Sequence, residues 1–213
     1  MARSGRAETV LTREFFAGDA RDVGRALIGK LLVRADGREA RLVEVEAYLG
    51  GDDPGSHAFR GPTPRARIMF GPYGRLYVYF SYGVHWCANV VCGPEGVASA
   101  VLLRAAQPIG AVAAMRQARW HGQRQRRDRD LCRGPGRLCE AFGITGEDNG
   151  LDLTVPGGGL WLADDGSGAG GEVVITPRVG LSKGADLPCR YVVAGSPWAS
   201  GGPVPPLRIS PSG

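Results

Sequence analysis

Between Arg41 and Arg104 the chain carries three short β-patterned runs, and chemistry-bearing side chains recur in all of them. They are Leu42-Val43-Glu44-Val45-Glu46-Ala47-Tyr48, then Tyr77-Val78-Tyr79-Phe80-Ser81-Tyr82-Gly83-Val84-His85-Trp86-Cys87-Ala88-Asn89, then Val101-Leu102-Leu103-Arg104. Such runs, bounded by Gly, Pro and Asp, read as strands; 34 glycines and 15 prolines in 213 residues rule out a helical bundle. Alternation puts Leu42, Glu44, Glu46 and Tyr48 on one side of the first strand and Val43, Val45 and Ala47 on the other. Two carboxylates on one buried face cannot both stay ionised without a cationic partner.

The flanking sequence fills in around these runs. A short helix is expected over 11–16, and a second one, capped by Asp19, buries Val23, Ala26 and Leu27. Asp36-Gly37 joins strands 30–34 and 38–48. Residues 50–74 form a long Gly/Pro-rich loop carrying His57, Arg60, Arg65, Arg67 and Met69, and loops of that length are often functional. Tyr82 falls at the tip of a hairpin between strands 76–81 and 84–91. The third strand, 96–104, ends on Arg104, and Pro108 opens a helix running through Met115 and Ala118. The most basic segment is 119–133, expected to be mobile. Gly134-Pro135-Gly136 then leads into a short helix stopped by Gly143, whose first amides, beside Arg133 and Arg137, offer a seat for a phosphate. Strands at 151–155, 160–163, 173–176 and 190–194, with a short helix at 182–187, complete one domain over 10–200. Residues 1–8 are expected to fray, and 201–213 to form a disordered tail.

Net charge is +5 and pI about 9.2, with only Lys30 and Lys183 as lysines, so the positive charge is nearly all arginine. That balance favours a polyanionic partner and bidentate phosphate contacts. Five cysteines without a CxxC pair point away from a disulfide framework or a zinc ribbon, and His85 and Cys87 lack a second ligand pair. No signal peptide or membrane-spanning apolar run is found, which suits a cytosolic, reduced protein.

The chain shows no P-loop, dinucleotide glycine fingerprint or supported nucleophile–histidine arrangement. What remains is a carboxylate on a buried face, an arginine and several aromatics on a basic protein. A carboxylate can activate water against a sugar carbon and stabilise the positive charge that develops there. Aromatics can stack on an extruded base, and a tyrosine on a hairpin tip can fill the place it vacates. These parts converge on cleavage of a base–sugar bond. Two other readings use the same residues: a non-catalytic binder of alkylated or distorted DNA, and a carbohydrate hydrolase using Glu44 and Glu46. The second fits poorly, because carboxyls two apart on one strand stand side by side rather than across a bond.

Glu44-Val45-Glu46-Ala47-Tyr48-Leu49-Gly50, Thr63-Pro64-Arg65, Leu76-Tyr77-Val78-Tyr79, Tyr82-Gly83, Leu102-Leu103-Arg104-Ala105, Met115-Arg116-Gln117 and Gly134-Pro135 occur in an order that resembles the alkyladenine (3-methyladenine) DNA glycosylase family. The resemblance spans about residues 10–200. It implies an α+β fold, a single domain around a curved, mainly antiparallel sheet with a protruding β-hairpin. It further implies a monofunctional enzyme without metal or other cofactor, working as a monomer on double-stranded DNA containing damaged purines, in the cytoplasm of a bacterium. Carried over by position, Glu46 is the general base and Arg104 helps hold its water. Tyr48, His57 and Tyr79 sandwich the flipped base, and Asn89 disfavours guanine's amino group. Tyr82 intercalates with Met69 packed beside it. Arg65, Arg67, Arg133 and Arg137 are candidate phosphate contacts from the chain's own charge pattern, since segment 119–133 is shorter and more arginine-rich than in vertebrate members and its phosphate contacts cannot be carried over. The chain departs from vertebrate members at Val84, His85 and Trp86, where those carry bulkier Met and Tyr/Phe residues, so the bracing of the hairpin cannot be carried over.

Overall fold

The computed structural model describes residues 8–121 and 127–206. Among these residues nine strands form one antiparallel sheet: β1 (Thr9–Val10), β2 (Leu31–Arg34), β3 (Glu39–Tyr48), β4 (Leu76–Ser81), β5 (His85–Cys92), β6 (Ser99–Gly110), β7 (Leu160–Asp164), β8 (Val173–Thr176) and β9 (Arg190–Val193). Their order is β1-β7-β2-β3-β6-β5-β4, and β9 carries β8 onto β3. The sheet curls into a half-barrel, an α+β fold. Three helices accompany it: α1 (Ala20–Leu27), α2 (Val112–Trp120) and α3 (Pro135–Phe142). β3 is the hub, pairing with β6 along its length, with β2 at one end and with β9 at the other.

The helices cover only one face of the sheet. Val23 and Leu27 of α1, Met115 of α2 and Leu138 and Phe142 of α3 pack with Val45 and Ala47 of β3, Val90 of β5 and Leu103 of β6. Each such aliphatic side chain contributes about 1.5–3 kcal/mol of burial. On the opposite face of β3, β6, β5 and β4 lie the alternate residues, covered by the loop 50–74 and the chain 177–189. A smaller apolar cluster of Ala58, Ala66, Met69, Tyr77, Val91 and Ala100 anchors the first of these coverings. One face of the sheet is therefore core, and the other is free to hold a site.

Several expectations need correction. Alternation along β3 breaks at Val43, where Leu42↔Ala106 and Glu44↔Ala105 place two steps of β3 against one of β6. This bulge returns Leu42 to the core side with Val45 and Ala47 and leaves only Glu44, Glu46 and Tyr48 on the site face. Arg104 is not at a strand end, because β6 runs on to Gly110 and Pro108 pairs with Ala40 rather than opening a helix. Proline is tolerated there because β5 pairs with β6 only as far as Leu102 and the bridge beyond it joins Ala105 to Arg133, so no strand pairs with Pro108 on that side. Helix α2 begins instead at Val112, after Ala111 adopts φ +42°. Residues 11–16 give only a 3-10 turn, Arg13–Phe16. Around Asp152 there is a single bridge to Arg75 in place of a strand, and 182–187 is turn rather than helix. In the basic segment, Arg119 belongs to α2 and pairs with Glu140, and Asp128–Asp130 forms a 3-10 turn. Residues 122–126, like 1–7 and 207–213 of the termini, lie outside the described residues.

Candidate active site

Strand register builds the site. Directly opposed residues point to the same face of an antiparallel sheet, and here Tyr77↔Asn89, Asn89↔Leu102, Leu102↔Glu46 and Glu46↔Arg190 form one row across five strands. Two residues further along the same strands stand Tyr79, Cys87, Arg104 and Glu44, and on the other side Tyr48 opposes Ala100. Of these, Tyr48, Tyr77, Tyr79, Cys87, Asn89, Leu102 and Arg104 line a cleft of about 710 Å³ that also takes in His57 from the 50–74 loop and Val179 from the chain before β9, while Glu44, Glu46 and Arg190 lie behind its wall.

Glu46 is completely buried directly behind the cleft. One carboxylate oxygen accepts the Val179 amide at 2.8 Å; the other accepts the Tyr48 hydroxyl at 3.0 Å and Arg104 Nη1 at 3.3 Å. Burial pushes the Glu46 carboxyl up. Arg104, the Val179 amide and the Tyr48 hydroxyl pull it down without cancelling that effect, so it titrates above the ordinary carboxylate value. Glu44 is just as buried and behaves oppositely. It accepts from Arg104 Nε and Arg190 Nε, each at 2.8 Å, and from the backbone and hydroxyl of Ser200. Burial raises its carboxyl too, but two guanidiniums outweigh that and hold it below the ordinary value. The cationic partner that the sequence demanded is thus two arginines, and Arg104 bridges both carboxylates.

The aromatics are arranged around this pair. Burial raises the Tyr48 and Tyr79 phenols far out of physiological range, so both are neutral. His57 meets the Tyr79 ring edge-on at 4.5 Å, and its Nδ1 lies 3.0 Å from the Tyr77 hydroxyl. Burial, with Arg65 nearby, lowers the imidazole and keeps it neutral at pH 7. Arg65 rests over the Tyr79 ring at 4.7 Å and donates to the Phe80 carbonyl, while Arg178 lies over the Tyr48 ring at 4.6 Å. The amide nitrogen of Asn89 donates to the Tyr77 carbonyl at 3.1 Å, which fixes the orientation of the amide at the cleft floor. Met69 is only 2% exposed, so it lines the cleft from below and does not stand at the surface beside Tyr82.

Tyr82 is 90% exposed. It and Gly83 have φ of +49° and +68°, and the Val84 amide donates to the Ser81 carbonyl at 2.9 Å, as in a type I′ hairpin turn. The hairpin is braced from below by two close backbone approaches. A β-carbon on Gly136 would fall 2.6 Å from the His85 ring, and one on Gly146 would fall 2.9 Å from Trp86. Phe80 packs on Trp86 at 4.8 Å. Beyond the hairpin a broader groove of about 1230 Å³ shares Phe80, His85 and Pro135 with the cleft and is bordered by Arg133 and Arg137. These two arginines flank Asp130, each at 3.7 Å, and Arg67 is exposed on the far loop. Sequence reasoning missed Val179, Arg178, Asp53, Arg190 and Ser200, which reach the site from 53 and from beyond 177 with no local pattern to mark them.

Among the described residues no three or more His, Cys, Asp or Glu side chains gather as a metal site. All five cysteines are buried thiols, with Cys92 and Cys132 each pushed up to about 12 by burial, and so unreactive. No helix among the described residues is long and apolar enough to cross a membrane. The arrangement offers a desolvated carboxylate, an arginine beside it and neutral aromatics around a cleft next to an exposed tyrosine at a hairpin tip.

Residues 14–197 match the family model described as methylpurine-DNA glycosylase. The chain belongs to that family. Membership makes it a DNA glycosylase, an enzyme that hydrolyses the bond between a base and its sugar. A protein of Burkholderia lata provisionally named 3-methyladenine DNA glycosylase is 50% identical over 192 residues, 90% of this chain and 91% of the other. One of Koribacter versatilis with the same provisional name is 49% identical over 206 residues, covering 94% and 98%. A third, from Rhodopseudomonas palustris, is 47% identical over 191 residues, covering 90% and 88%.

Proposed function

We propose that this glycosylase removes damaged purines from duplex DNA, among them 3-methyladenine, 7-methylguanine, hypoxanthine and ethenoadenine, and so initiates base excision repair. Glu46 is the general base: it takes a proton from water as the water oxygen attacks C1′ and the C1′–N bond breaks with its electron pair going to the base. The observation that carries this reading is that Glu46, buried behind the cleft, is held by Tyr48, Arg104 and the Val179 amide, all of which line it, and that burial outweighs these partners in setting its titration. Arg104 holds the water and steadies the ionised carboxylate; the growing charge on the sugar is met by the anion.

Tyr48, His57 and Tyr79 sandwich the flipped base. Neutral, electron-rich tyrosine faces favour a cationic alkylated purine, each by ~0.5–2 kcal/mol. Such a base already leaves well, whereas neutral hypoxanthine needs protonation and reacts more slowly. Asn89, its amide fixed, stands where guanine's amino group would collide. Tyr82 fills the vacated stack, and Arg65, Arg67, Arg133 and Arg137 hold the phosphates. Lys30 is paired with Asp164 and neither lysine lines the cleft, so the product is an intact abasic site rather than a Schiff-base lyase product. The enzyme acts as a monomer, in the cytoplasm at the nucleoid.

The test uses a duplex with one hypoxanthine or ethenoadenine, incubated with the protein and then treated with alkali. Strand breaks with wild type and none with Glu46→Gln are expected. Tight binding without base release would make the chain a lesion-binding protein instead.

A further inference from the structure

The reaction proposed above, on which this inference rests, needs Glu46 held at one angle and Tyr48 kept as one wall of the cleft. Behind Tyr48 lies an ion pair that no step of that reaction uses. The side chains of Asp53 and Arg178 have no solvent exposure, and both guanidinium Nη atoms donate to the carboxylate, Nη2 at 2.7 Å. Neither residue lines the cleft. Asp53 also accepts from the amides of Leu49 and Gly55, and Arg178 donates to the carbonyls of Ala47 and Gly184. The pair therefore ties together the end of β3, the loop that carries His57 and the chain 177–189. Two further contacts aim it at the site. The guanidinium lies 4.6 Å from the Tyr48 ring centroid, and the very next amide, that of Val179, donates to Glu46 Oε1 at 2.8 Å.

A buried ion pair is a poor device for stability, since apolar side chains of the same volume usually serve as well. Its contacts supply a different reason for its presence. We propose that Asp53 and Arg178 are a positioning pair for base excision. Together they lock the 177–181 chain so that Val179 pins Oε1 of Glu46. Oε2, between Tyr48 and Arg104, is thereby left as the oxygen that receives the water proton, and the tilt of the Tyr48 ring is set at the same time. Neither residue touches the reacting atoms; both act through Glu46 and Tyr48.

A role in positioning predicts a signature that a role in folding alone does not. The groups facing Glu46 are Arg104 from β6, Tyr48 and Glu44 from its own strand, the Val179 amide, and Arg190 across on β9, which is bonded to Glu44. Loosening the 177–181 chain removes the amide and leaves the burial in place, so the acid limb of the rate profile moves to higher pH.

The experiment uses the full chain with a duplex carrying a single hypoxanthine. Single-turnover base release with enzyme in excess is followed across pH, together with binding to the same duplex and thermal melting. Asp53→Asn alone strands a buried guanidinium and can unfold the chain, so the decisive variant is the neutral pair Asp53→Asn with Arg178→Gln. A melt near that of wild type is expected, with release slowed at least about tenfold, binding weakened by a smaller factor through Tyr48 and the acid limb displaced upward. Wild-type release with an unmoved acid limb would overturn the proposal, as would release and binding falling by the same factor with the limb in place. If the neutral pair does not fold, Arg178→Lys decides. It keeps the charge opposite Asp53 but loses the planar fork, and a positioning role requires slower release with a shifted limb where a folding role requires the wild-type profile. Failure of the wild type to release hypoxanthine, or full activity in Glu46→Gln, would sink the glycosylase reading itself, a result distinct from a wild-type-like double variant.

Discussion

Glu44 and Glu46 are two positions apart on one strand, equally buried and bridged by the same arginine, yet their surroundings push them in opposite directions. Glu44 neutralises Arg104 and Arg190 and ties Ser200 to the sheet, so its charge serves the fold. In Glu44→Gln both guanidiniums lose that counter-charge, at a cost of ~3–5 kcal/mol, and the melting temperature should fall by roughly 10 °C. Glu46 is disfavoured as an anion in the folded state. Glu46→Gln should therefore melt no lower than wild type while base release falls ~10²–10⁴-fold. Melting curves and single-turnover rates on the two variants separate the roles, and a large destabilisation of Glu46→Gln would contradict the division. Tyr82 is, after Glu46, a second case of local cost, accepted on the proposed reading for DNA binding. A tyrosine at φ +49° is strained by about 1 kcal/mol or more, and at 90% exposure its ring recovers almost nothing by burial. Asparagine before glycine is the preferred type I′ pair. Tyr82→Asn should thus raise the melting temperature by a few degrees while weakening binding to a lesion-bearing duplex, and a lower melting temperature would mean that the ring is structural.

At the level of elements, the hairpin of β4 and β5 owes its direction to α3 and to the turn after it. Gly136 and Gly146 let the helix start and the following 3-10 turn press against His85 and Trp86 without side chains between them. Gly136→Ala should force the imidazole away and tilt the wedge. Gel-shift and single-turnover assays should show weaker lesion binding and slower release, whereas thermal melting changes little because His85 is only half-buried at the hairpin base. Wild-type binding in that variant would mean that the hairpin is braced elsewhere. This contact could not be read from the chain, since a glycine in Gly-Pro-Gly reads as helix entry whether or not a ring lies against it. What could be read was parity. Glu44, Glu46 and Tyr48 keep to one side of β3, as alternation indicated, and the same spacing of two in Tyr77 and Tyr79, Cys87 and Asn89, and Leu102 and Arg104 puts them on the lined face that register assembles. Register was not legible, and neither was the bulge at Val43, which arises only when β3 meets β6. The continuation of β6 through Pro108 was hidden for a related reason: a proline signals a break unless one edge of the strand is unpaired, and that depends on where β5 stops. Asp53 and Arg178 meet across 125 positions, beyond any local pattern.

For the molecule as a whole, the same carboxylates set two different responses to acid. Asp53, Asp152, Asp164, Asp165 and Glu44 all titrate below their ordinary values in the folded chain: burial raises Asp53, Asp152 and Glu44, but hydrogen bonds and arginines outweigh it, and for Asp164 and Asp165 the bonds to Lys30 and Arg41 lead. A group depressed on folding contributes stability that is present above its unfolded pKa and is lost as pH falls through the folded one. Stability should therefore hold down to about pH 4 and decline below it. Glu46 has the opposite sign. Its folded value lies above the ordinary 4.5, so its protonated form is the one the fold favours, and ionisation, which the proposed mechanism requires, erodes stability as pH rises through that range. Acidification should consequently silence the enzyme before it unfolds it. Between the pKa of Glu46 and about pH 4 the chain should keep its native circular dichroism and cooperative melt while single-turnover base release drops about tenfold per pH unit, and return to neutral pH should restore the rate in full. Simultaneous loss of activity and native signal, or a rate that stays flat down to the unfolding transition, would show that Glu46 does not have to be ionised for the base to leave.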